Sequence, residues 1–337
     1  MILRTGARNL LTDVPGLAVG NAQDEAIRSG VTVVLPQEED FVAAVDIRGG
    51  GTGTRETAAL APDGVVTAVH GLVLSGGSAF GLDAAGGVMA WLASQCRGFP
   101  VGNARVPVVP QAILFDLLNG GDKAWTARPD LPNPYRALAV AACDAAGADF
   151  ALGTAGAGHG AMAGGLKGGL GSASIVHESG LTVGALAAVN ARGSVLLDGS
   201  AAFNAWTVER DGEYGAVPPP AAPLPDLEWN LAGARLPANT TLAVVATDLA
   251  LDKAQAQRLA MMAQAGLARA IRPVWTPLDG DVVFAVATGR RAPRDAVSDL
   301  ALAGALAADC LARAVSRGVY EATTLGAMRC YREIYNG

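Results

Sequence analysis

Apolar residues along the chain occur in short runs with two spacings, one typical of strands and one typical of helices. Continuous apolar runs at Gly30–Leu35 and Phe41–Ile47 predict strands. Between Leu259 and Ala270, apolar or small residues recur at positions i, i+3, i+4, i+7, i+8 and i+11, which predicts a helix with one buried face. Since strand-like and helix-like segments alternate along the chain, the pattern predicts the α/β class.

The same pattern places further elements on both sides of an irregular stretch. Gly215–Ala238 contains six prolines and little periodicity, so we expect an exposed connection there. Gly49–Arg55 predicts a glycine-rich turn, and Thr247 or Asp248 is a candidate cap for the helix that contains Leu259. The remaining predicted strands are Leu72–Leu74, Ser172–His177, Thr182–Asn190, Thr240–Ala246 and Asp281–Thr288, and the remaining predicted helices are Ala79–Cys96, Ala137–Ala146 and Asp295–Arg317.

Composition narrows the possible classes of function. The 337 residues suit one large domain or two ordinary ones, and a hydrophobic content of 51% with 17% charged residues argues against disorder. A net charge of −6 without a basic cluster argues against nucleic-acid binding. Glycine and serine interrupt the long uncharged stretches, and the N-terminus lacks the apolar core of a signal peptide. We therefore expect no membrane association and a cytoplasmic location.

Neither a metal nor an organic cofactor is expected. The four cysteines, at spacings that match no zinc or redox motif, are predicted to be free and mostly buried thiols. Glycine is abundant, at 43 residues, but Gly49–Arg55 lacks the lysine and hydroxyl residue that end a phosphate-binding loop. Gly158–Ala163 only loosely approaches a dinucleotide fingerprint and has no acidic residue at the expected later spacing. A nucleotide site is therefore not predicted.

The most informative position is the junction where the proline-rich stretch meets the strand at Thr240. Threonine favours strands, so a purely structural role for Thr240 stays open. The functional alternative is a cut between Asn239 and Thr240, which gives Thr240 a free α-amine beside its own hydroxyl. With a reference pKa of about 7.7–8.0, such an amine is partly neutral near pH 7 and can accept the hydroxyl proton. Before cleavage the same hydroxyl could attack the Asn239 carbonyl, so one nucleophile would serve both reactions.

Further polar residues could orient this nucleophile or stabilise an oxyanion. Asp279 and Asp281 lie on one side of an extended chain, where close like charges raise one pKa; a solvated turn is the alternative. Lys167 is a lone cation among glycines, where the backbone could pass close to a ligand, or it is an ordinary surface lysine. Asn190 ends an apolar strand, where its amide could donate to an oxyanion or cap a turn.

Six segments in a fixed order carry a resemblance that covers nearly the whole chain. The sequence resembles the L-aminopeptidase/D-esterase family, which includes the β-peptidyl aminopeptidases, and within it the match is closest to the nylon-oligomer (aminohexanoate-oligomer) hydrolases. Those hydrolases have the threonine and the DGD sequence found here, whereas the peptidase branch has a serine nucleophile and a different polar pair. The six segments are Thr12–Gly20 (TDVPGLAVG), Gly51–Glu56 (GTGTRE), Leu74–Leu82 (LSGGSAFGL), Lys167–Gly171 (KGGLG), Asn239–Thr241 (NTT) and Asp279–Asp281 (DGD).

The resemblance implies a fold and an assembly. The implied fold is a four-layer αββα sandwich of the N-terminal-nucleophile-hydrolase type, similar to that of ornithine acetyltransferase. The precursor would cleave itself between Asn239 and Thr240, and the larger piece, 1–239, would stay associated with the smaller piece, 240–337. The cleaved units would form a homo-oligomer, a tetramer as is usual in the family.

The resemblance also assigns roles to the residues already singled out. Thr240 would be the nucleophile. Lys167 and Asn190 would support the nucleophile and the oxyanion. Asp279 and Asp281 would position the new N-terminus and assist self-cleavage.

The expected reaction is hydrolysis of a small amide or oligoamide through an acyl-enzyme on Thr240. Because the junction departs from the peptidase pattern, amide hydrolysis in general is a firmer expectation than aminopeptidase activity. An acyltransferase on the same fold and an uncleaved, non-enzymatic scaffold are the alternatives. The junction lacks the Ala-Thr-Met-Leu pattern that is typical of such transferases. The polar residues Lys167, Asn190, Asp279 and Asp281, retained together with Thr240, argue against an inert scaffold.

Overall fold

The computed structural model describes residues 2–221 and 239–335, most of which belong to two β-sheets and the helices that cover them. Of the predicted connection Gly215–Ala238, residues 215–221 have no regular structure, and the rest lies outside the described residues. The strands are β1 (Leu3–Thr5), β2 (Leu17–Asp24), β3 (Ser29–Pro36), β4 (Val42–Ile47), β5 (Gly53–Arg55), β6 (Leu72–Ser75), β7 (Phe99–Val101), β8 (Ala104–Val106), β9 (Gln111–Ile113), β10 (Met162–Ala163), β11 (Leu166–Lys167), β12 (Gly169–His177), β13 (Thr182–Asn190), β14 (Thr240–Leu249) and β15 (Val282–Arg291). The α-helices are α1 (Ala84–Ser94), α2 (Tyr135–Asp144), α3 (Lys253–Ala270), α4 (Ala296–Tyr320) and α5 (Tyr331–Tyr335).

Two sheets form the centre of the fold. The six-stranded sheet has the order β1-β12-β13-β14-β15-β4, and the five-stranded sheet has the order β2-β3-β6-β9-β5. In the six-stranded sheet, β14 and β15 run parallel, and the other neighbours run antiparallel. The central strand β14 therefore has one neighbour from before the proline-rich stretch and one from after it.

Successive side chains of β14 point to opposite faces and enter different cores, as the geometry of a strand requires. Leu242 and Val244 pack between the two sheets, together with residues of β3 and β6. Ala243 and Val245 point the other way and pack with the buried faces of α3 and α4. Helices α1 and α2 cover the outer face of the five-stranded sheet. The result is the predicted four-layer αββα sandwich.

The cap of α3 differs from the prediction. Strand β14 continues through Thr247 and Asp248 to Leu249, so neither residue can start a helix. Asp252 is the cap instead, and its side chain accepts a hydrogen bond of 2.8 Å from the Gln255 backbone. Thr247 pairs with Val183 of β13 and with Ala287 of β15, and this pairing favours extension of the strand over a helix turn.

The start of α1 also differs from the prediction. The expected helix Ala79–Cys96 begins instead as a 3-10 turn, Ser78–Asp83, and is α-helical only from Ala84. The residues before it bend sharply, with left-handed backbone at Gly77 (φ 85°) and Ser78 (φ 52°). This tight bend delays the α-helix by several residues.

Strand β12 begins earlier than predicted, at Gly169 rather than Ser172. Glycine is depleted in strands, so the pattern gave no signal there. In the fold, a Cβ atom at Gly171 would lie 1.9 Å from the Ala314 carbonyl oxygen. Glycine is therefore needed in this strand because α4 packs directly on its backbone.

The cysteines agree with the prediction of free and mostly buried thiols. Cys96 is exposed, and the other three are buried. Separately, no helix in the described part of the chain is long and apolar enough to cross a membrane.

Candidate active site

The junction between Asn239 and Thr240 lies where β14 begins. Thr240 pairs with Asn190, the last residue of β13, and only 4% of the Thr240 surface is exposed. Asn239 forms a parallel bridge with Asp279, so the residues before β14 and before β15 lie side by side. The tertiary fold thus brings Asn190, the junction and Asp279 together at one end of the six-stranded sheet.

The Thr240 hydroxyl lies against the carbonyl that precedes it. Thr240 Oγ1 donates a hydrogen bond of 2.6 Å to the Asn239 carbonyl oxygen. The Gly280 backbone N–H donates a second hydrogen bond, of 2.9 Å, to the same oxygen. A donor in this position polarises the carbonyl and stabilises negative charge that develops on its oxygen.

Gly280 is a residue of the candidate site that the sequence analysis did not single out. A Cβ atom at this position would lie 2.6 Å from Thr240 Oγ1 and 2.8 Å from the Gly51 carbonyl oxygen. The absence of a side chain therefore lets the backbone approach the Thr240 hydroxyl. Its position inside Asp279-Gly280-Asp281 was an available signal, but the spacing drew attention to the carboxylates on either side.

Asp279 and Asp281 are both buried, so the solvated-turn alternative is wrong. Asp281 Oδ1 accepts a hydrogen bond of 2.7 Å from the Thr241 backbone N–H, which fixes the residue after Thr240. Asp279 accepts from the Arg192 N–H at 3.3 Å and from the Thr276 N–H and hydroxyl at 3.0 and 2.6 Å. Burial, followed by the charge of Asp279, raises the pKa of Asp281 to about 7. A carboxyl with this pKa can exchange a proton near neutral pH.

Asn190 contacts the junction through its backbone and the neighbouring loops through its side chain. Its carbonyl oxygen accepts 3.3 Å from the Asn239 side-chain amide. The Asn190 side chain accepts 2.9 Å from the Met162 N–H and donates 3.1 Å to the Phe115 carbonyl. The side chain therefore joins two loops beside Thr240, and in this uncleaved chain its amide hydrogen bonds to a backbone carbonyl.

Lys167 is completely buried, so the surface-lysine alternative is wrong. Its Nζ donates 3.0 Å to the Gly158 carbonyl and 2.7 Å to the Gly168 carbonyl. Lys167 pairs with Met162 across two short strands, and the Met162 N–H donates to the Asn190 side chain. Lys167 is therefore linked to the site through Met162. Burial lowers the pKa of Lys167 to about 7, against opposing contributions from Asp116 and Cys330. The side chain is thus a cation that can become neutral near physiological pH.

A cleft of about 310 Å³ opens beside the junction. Most of the surface that lines the cleft is apolar, and a few polar groups lie within it, which is typical of small-molecule sites. Asp116 is a buried carboxylate in this wall that the sequence analysis missed, because nothing in the local pattern separates it from a loop residue. Among the lining residues are Phe115, Asp116, Met162, Asn190, Arg192 and Asn239.

This arrangement can support acyl transfer to a hydroxyl. The Thr240 hydroxyl contacts a carbonyl group, a backbone N–H donates to the carbonyl oxygen, and two titratable groups with pKa near 7, Asp281 and Lys167, lie nearby. Lys167 does not contact Thr240 in this state; its described hydrogen bonds go to backbone carbonyls. Four of the predicted residues lie together at the junction: Thr240, Asn190, Asp279 and Asp281. The fifth, Lys167, is linked to them through Met162.

Comparisons with known proteins identify a family and several relatives. Peptidase family S58 matches residues 9–331. The chain is 46% identical over 350 residues to an uncharacterized aminopeptidase of Mycobacterium tuberculosis (strain ATCC 25618 / H37Rv), covering 98% of both chains. It is 29% identical over 298 residues to a 6-aminohexanoate-oligomer endohydrolase of Kocuria sp., covering 84% of this chain and 76% of that protein.

A solved structure shows the same fold. The L-aminopeptidase D-Ala-esterase/amidase of Ochrobactrum anthropi, described as a variant of the Ntn-hydrolase fold, superposes with a TM-score of 0.71 at 23% identity. The alignment covers 97% of this chain and 90% of the other. The predicted family and fold are both confirmed, and the identity to the mycobacterial aminopeptidase is higher than that to the oligomer endohydrolase.

Proposed function

Because the chain belongs to peptidase family S58 and is a peptide or amide hydrolase, we propose that it cleaves itself between Asn239 and Thr240 and then uses Thr240 as an N-terminal nucleophile. The observation that carries this proposal is the contact of 2.6 Å between Thr240 Oγ1 and the Asn239 carbonyl oxygen, which also accepts a hydrogen bond from the Gly280 N–H. The contact places the hydroxyl beside a carbonyl that a backbone N–H polarises, and attack on the carbon of that carbonyl requires such proximity.

Self-cleavage begins as the Thr240 oxygen attacks the Asn239 carbonyl carbon. The new C–O bond forms, the hydroxyl proton passes to the Thr240 nitrogen, and the C–N bond breaks. The product is an ester between Asn239 and the Thr240 side chain, with a free α-amine. Water then hydrolyses the ester, which restores the hydroxyl and leaves a carboxylate on Asn239. The Gly280 N–H stabilises the oxyanion that forms in both steps.

Substrate hydrolysis uses the same hydroxyl with the new amine as its base. The α-amine accepts the hydroxyl proton while the oxygen attacks a substrate amide, and the proton then passes to the departing amine. Water hydrolyses the resulting acyl-enzyme. Asp281 fixes the start of β14 through the Thr241 N–H, and Asp279 anchors the adjacent loop through Thr276, so both orient the nucleophile.

The two pieces are expected to stay together after cleavage. Strands β13 and β14 pair from Asn190 opposite Thr240 to Val183 opposite Thr247, and β15 pairs with β4. These ladders join the pieces 1–239 and 240–337 without using the peptide bond that is cut. We also propose that the cleaved units form a homo-oligomer, a tetramer, which light scattering of the purified protein would test.

Purified protein is expected to contain two polypeptides rather than one. Dividing the mass of 33.9 kDa in proportion to residue number gives pieces of about 24 and about 10 kDa. A denaturing gel should show both bands, and intact-mass analysis should find a fragment that starts at Thr240. A full-length chain that hydrolyses amides without any fragment would contradict the proposal.

The proposed substrate is a small amide or oligoamide. The cleft of about 310 Å³ is large enough for one short acyl unit, and its mostly apolar lining would accept a methylene chain. The names of two relatives, an aminopeptidase and an aminohexanoate-oligomer endohydrolase, support testing both kinds of amide. Short β-peptides, aminohexanoate oligomers and α-amino amides should be compared, with release of free carboxylate as the measure of hydrolysis.

Replacing either buried carboxylate by its amide is expected to slow both reactions. Asp279→Asn and Asp281→Asn keep the side-chain shape but lose an acceptor for the N–H groups around Thr240. We expect each to lower the self-cleavage rate by at least about tenfold. In the wild type, titration of the Asp281 carboxyl should change the self-cleavage rate near pH 7. Asp281→Asn should remove this change.

The matched control is Asp248→Asn, a buried carboxylate at the opposite end of β14 that pairs with Arg291. It should lower the unfolding temperature but leave the cleavage rate near that of the wild type. Single-turnover measurements on protein that has already cleaved would separate catalysis from maturation. Normal cleavage and turnover in both Asp279→Asn and Asp281→Asn would limit the pair to a structural role.

A further inference from the structure

A buried carboxylate in the cleft wall has no part in the reactions described above. Asp116 follows β9, is only 3% exposed and lines the cleft with Asn190 and Asn239. Burying a charged group is unfavourable unless it is paired and hydrogen bonded. Asp116 therefore requires an explanation beyond packing.

The surroundings of Asp116 supply donors to both carboxylate oxygens. The Gly77 N–H donates 2.8 Å to Oδ1, and the Ser29 hydroxyl donates 2.5 Å to Oδ2. The Tyr135 hydroxyl donates 2.7 Å to Ser29 Oγ, which directs the Ser29 proton toward Asp116. Donors to both oxygens stabilise the ionised form of a carboxyl.

Two glycine motifs make room for this carboxylate. A Cβ atom at Gly76 would lie 2.1 Å from Asp116 Oδ2, and one at Gly160 would lie 2.7 Å from the same oxygen. The segments Ser75-Gly76-Gly77-Ser78 and Gly158-His159-Gly160 thus approach Asp116 with bare backbone. No phosphate or nucleotide is needed to explain these glycines.

The same turn connects Asp116 to Lys167. Its Gly160 end packs on the Asp116 carboxylate, and its Gly158 carbonyl accepts the hydrogen bond from Lys167 Nζ. The Asn119 side chain fixes the turn by donating 3.0 Å to the Gly160 carbonyl. A buried carboxyl group and a buried lysine side chain therefore flank one short segment.

We propose that Asp116 is a positioning residue that acts through Lys167: its carboxylate is the buried counter-charge that keeps the Lys167 side chain an ammonium near neutral pH. The effect on catalysis rests on the proposed function, in which Lys167 supports the nucleophile and the oxyanion. The effect on the charge of Lys167 itself does not depend on self-cleavage.

The other charged and titratable groups around Lys167 do not replace this role. Burial lowers the pKa of Lys167, and Asp116, ahead of the Cys330 thiol, is the largest influence that raises it. His159 also faces Lys167, but burial lowers the pKa of His159, and its Nε2 lies 3.4 Å from Glu25 Oε2. Burial raises the pKa of Asp116, and the hydrogen bond from Ser29 and the charge of Lys123 on its other side oppose this rise.

The titration of Lys167 can be observed directly because the chain has only three lysines, Lys123, Lys167 and Lys253. Lysine labelled with carbon-13 at Cε should give three resolvable signals, and the Lys167 signal is the one lost in Lys167→Arg. In the wild type its midpoint is expected near pH 7. In Asp116→Asn the midpoint should fall by about one pH unit, because the anion that favours the ammonium is lost.

A control variant sharpens this experiment. The control variant Asp122→Asn removes an exposed carboxylate from the same loop and should leave the Lys167 midpoint unchanged. In Asp116→Asn, the limb of the pH–rate profile that follows Lys167 should move to lower pH together with the Lys167 midpoint. In Asp122→Asn, the same limb should stay in place.

If Asp116→Asn does not fold, Ser29→Ala provides the test. It leaves the carboxylate but removes a donor that stabilises its anion, so the Lys167 midpoint should fall by a smaller amount. An unchanged or raised Lys167 midpoint in the folded variants would overturn the proposal. Repeating the titration in the Thr240→Ala background separates this result from the proposed function, since it needs neither cleavage nor turnover.

Discussion

Replacement of Thr240 by alanine is expected to leave a single full-length polypeptide and to lower amide hydrolysis by at least about a thousand-fold. The variant loses the Thr240 hydroxyl, which contacts the Asn239 carbonyl, and with it the proposed nucleophile for that peptide bond. Without cleavage there is also no α-amine at residue 240 to serve as the base. Intact mass over several days and release of carboxylate from an amide substrate would measure the two losses.

Thr240→Ser should retain both reactions at reduced rates, since it keeps the hydroxyl and, after cleavage, the amine. The matched control is Thr241→Val, which removes the neighbouring hydroxyl and keeps the β-branched shape. The Thr241 hydroxyl is buried and has no hydrogen-bond partner among residues 2–221 and 239–335, so its loss should change neither reaction. Hydrolysis at the wild-type rate by an uncleaved Thr240→Ala protein would place the nucleophile elsewhere.

Gly280→Ala is expected to have the next largest effect and to accumulate uncleaved precursor. The added Cβ atom would lie 2.6 Å from Thr240 Oγ1 and 2.8 Å from the Gly51 carbonyl, so the hydroxyl, the loop or both must move. Displacement of a nucleophile by about 1 Å can cost about a hundred-fold in rate. The time course of precursor loss on a denaturing gel would measure the effect.

The control for this substitution is Gly147→Ala, because the nearest atom to a Cβ there is the Asp149 carbonyl oxygen at 3.9 Å. That variant adds the same methyl group without displacing anything and should cleave like the wild type. Comparing unfolding temperatures of both variants would show whether Gly280→Ala is folded. A folded Gly280→Ala protein that matures at the normal rate would mean that the Gly280 backbone does not hold the reacting groups.

Long apolar segments could be predicted from the sequence because burial on a strand or on a helix face repeats at a fixed spacing. Thr182–Asn190 was predicted with the bounds of β13, and the buried face from Leu259 to Ala270 belongs to α3. Where glycine or a turn interrupts the pattern, the prediction was less accurate. The start of β12 at Gly169 and the α-helical start of α1 at Ala84 depend on packing and backbone bends that no periodicity encodes.

The chemically informative residue types could also be found in the sequence. The proline-rich stretch ending at Asn239-Thr240, the paired aspartates and a lysine among glycines all stand out locally, and the six segments in order identify the family. The roles of these residues are proposals, but the resemblance already indicated that they belong to one site.

Only the tertiary structure decided how these residues meet. Asn190 and Thr240 are partners across two strands that lie fifty positions apart in the chain, and Gly280 approaches Thr240 from a third segment. The burial of Lys167 and its counter-charge Asp116 likewise depends on a turn that packs between them. Hydrophobic pattern is a property of neighbours in sequence, whereas distance, desolvation and hydrogen bonding between distant segments are set by how the sheets and loops pack, and these decide which oxygen can attack and which proton can move.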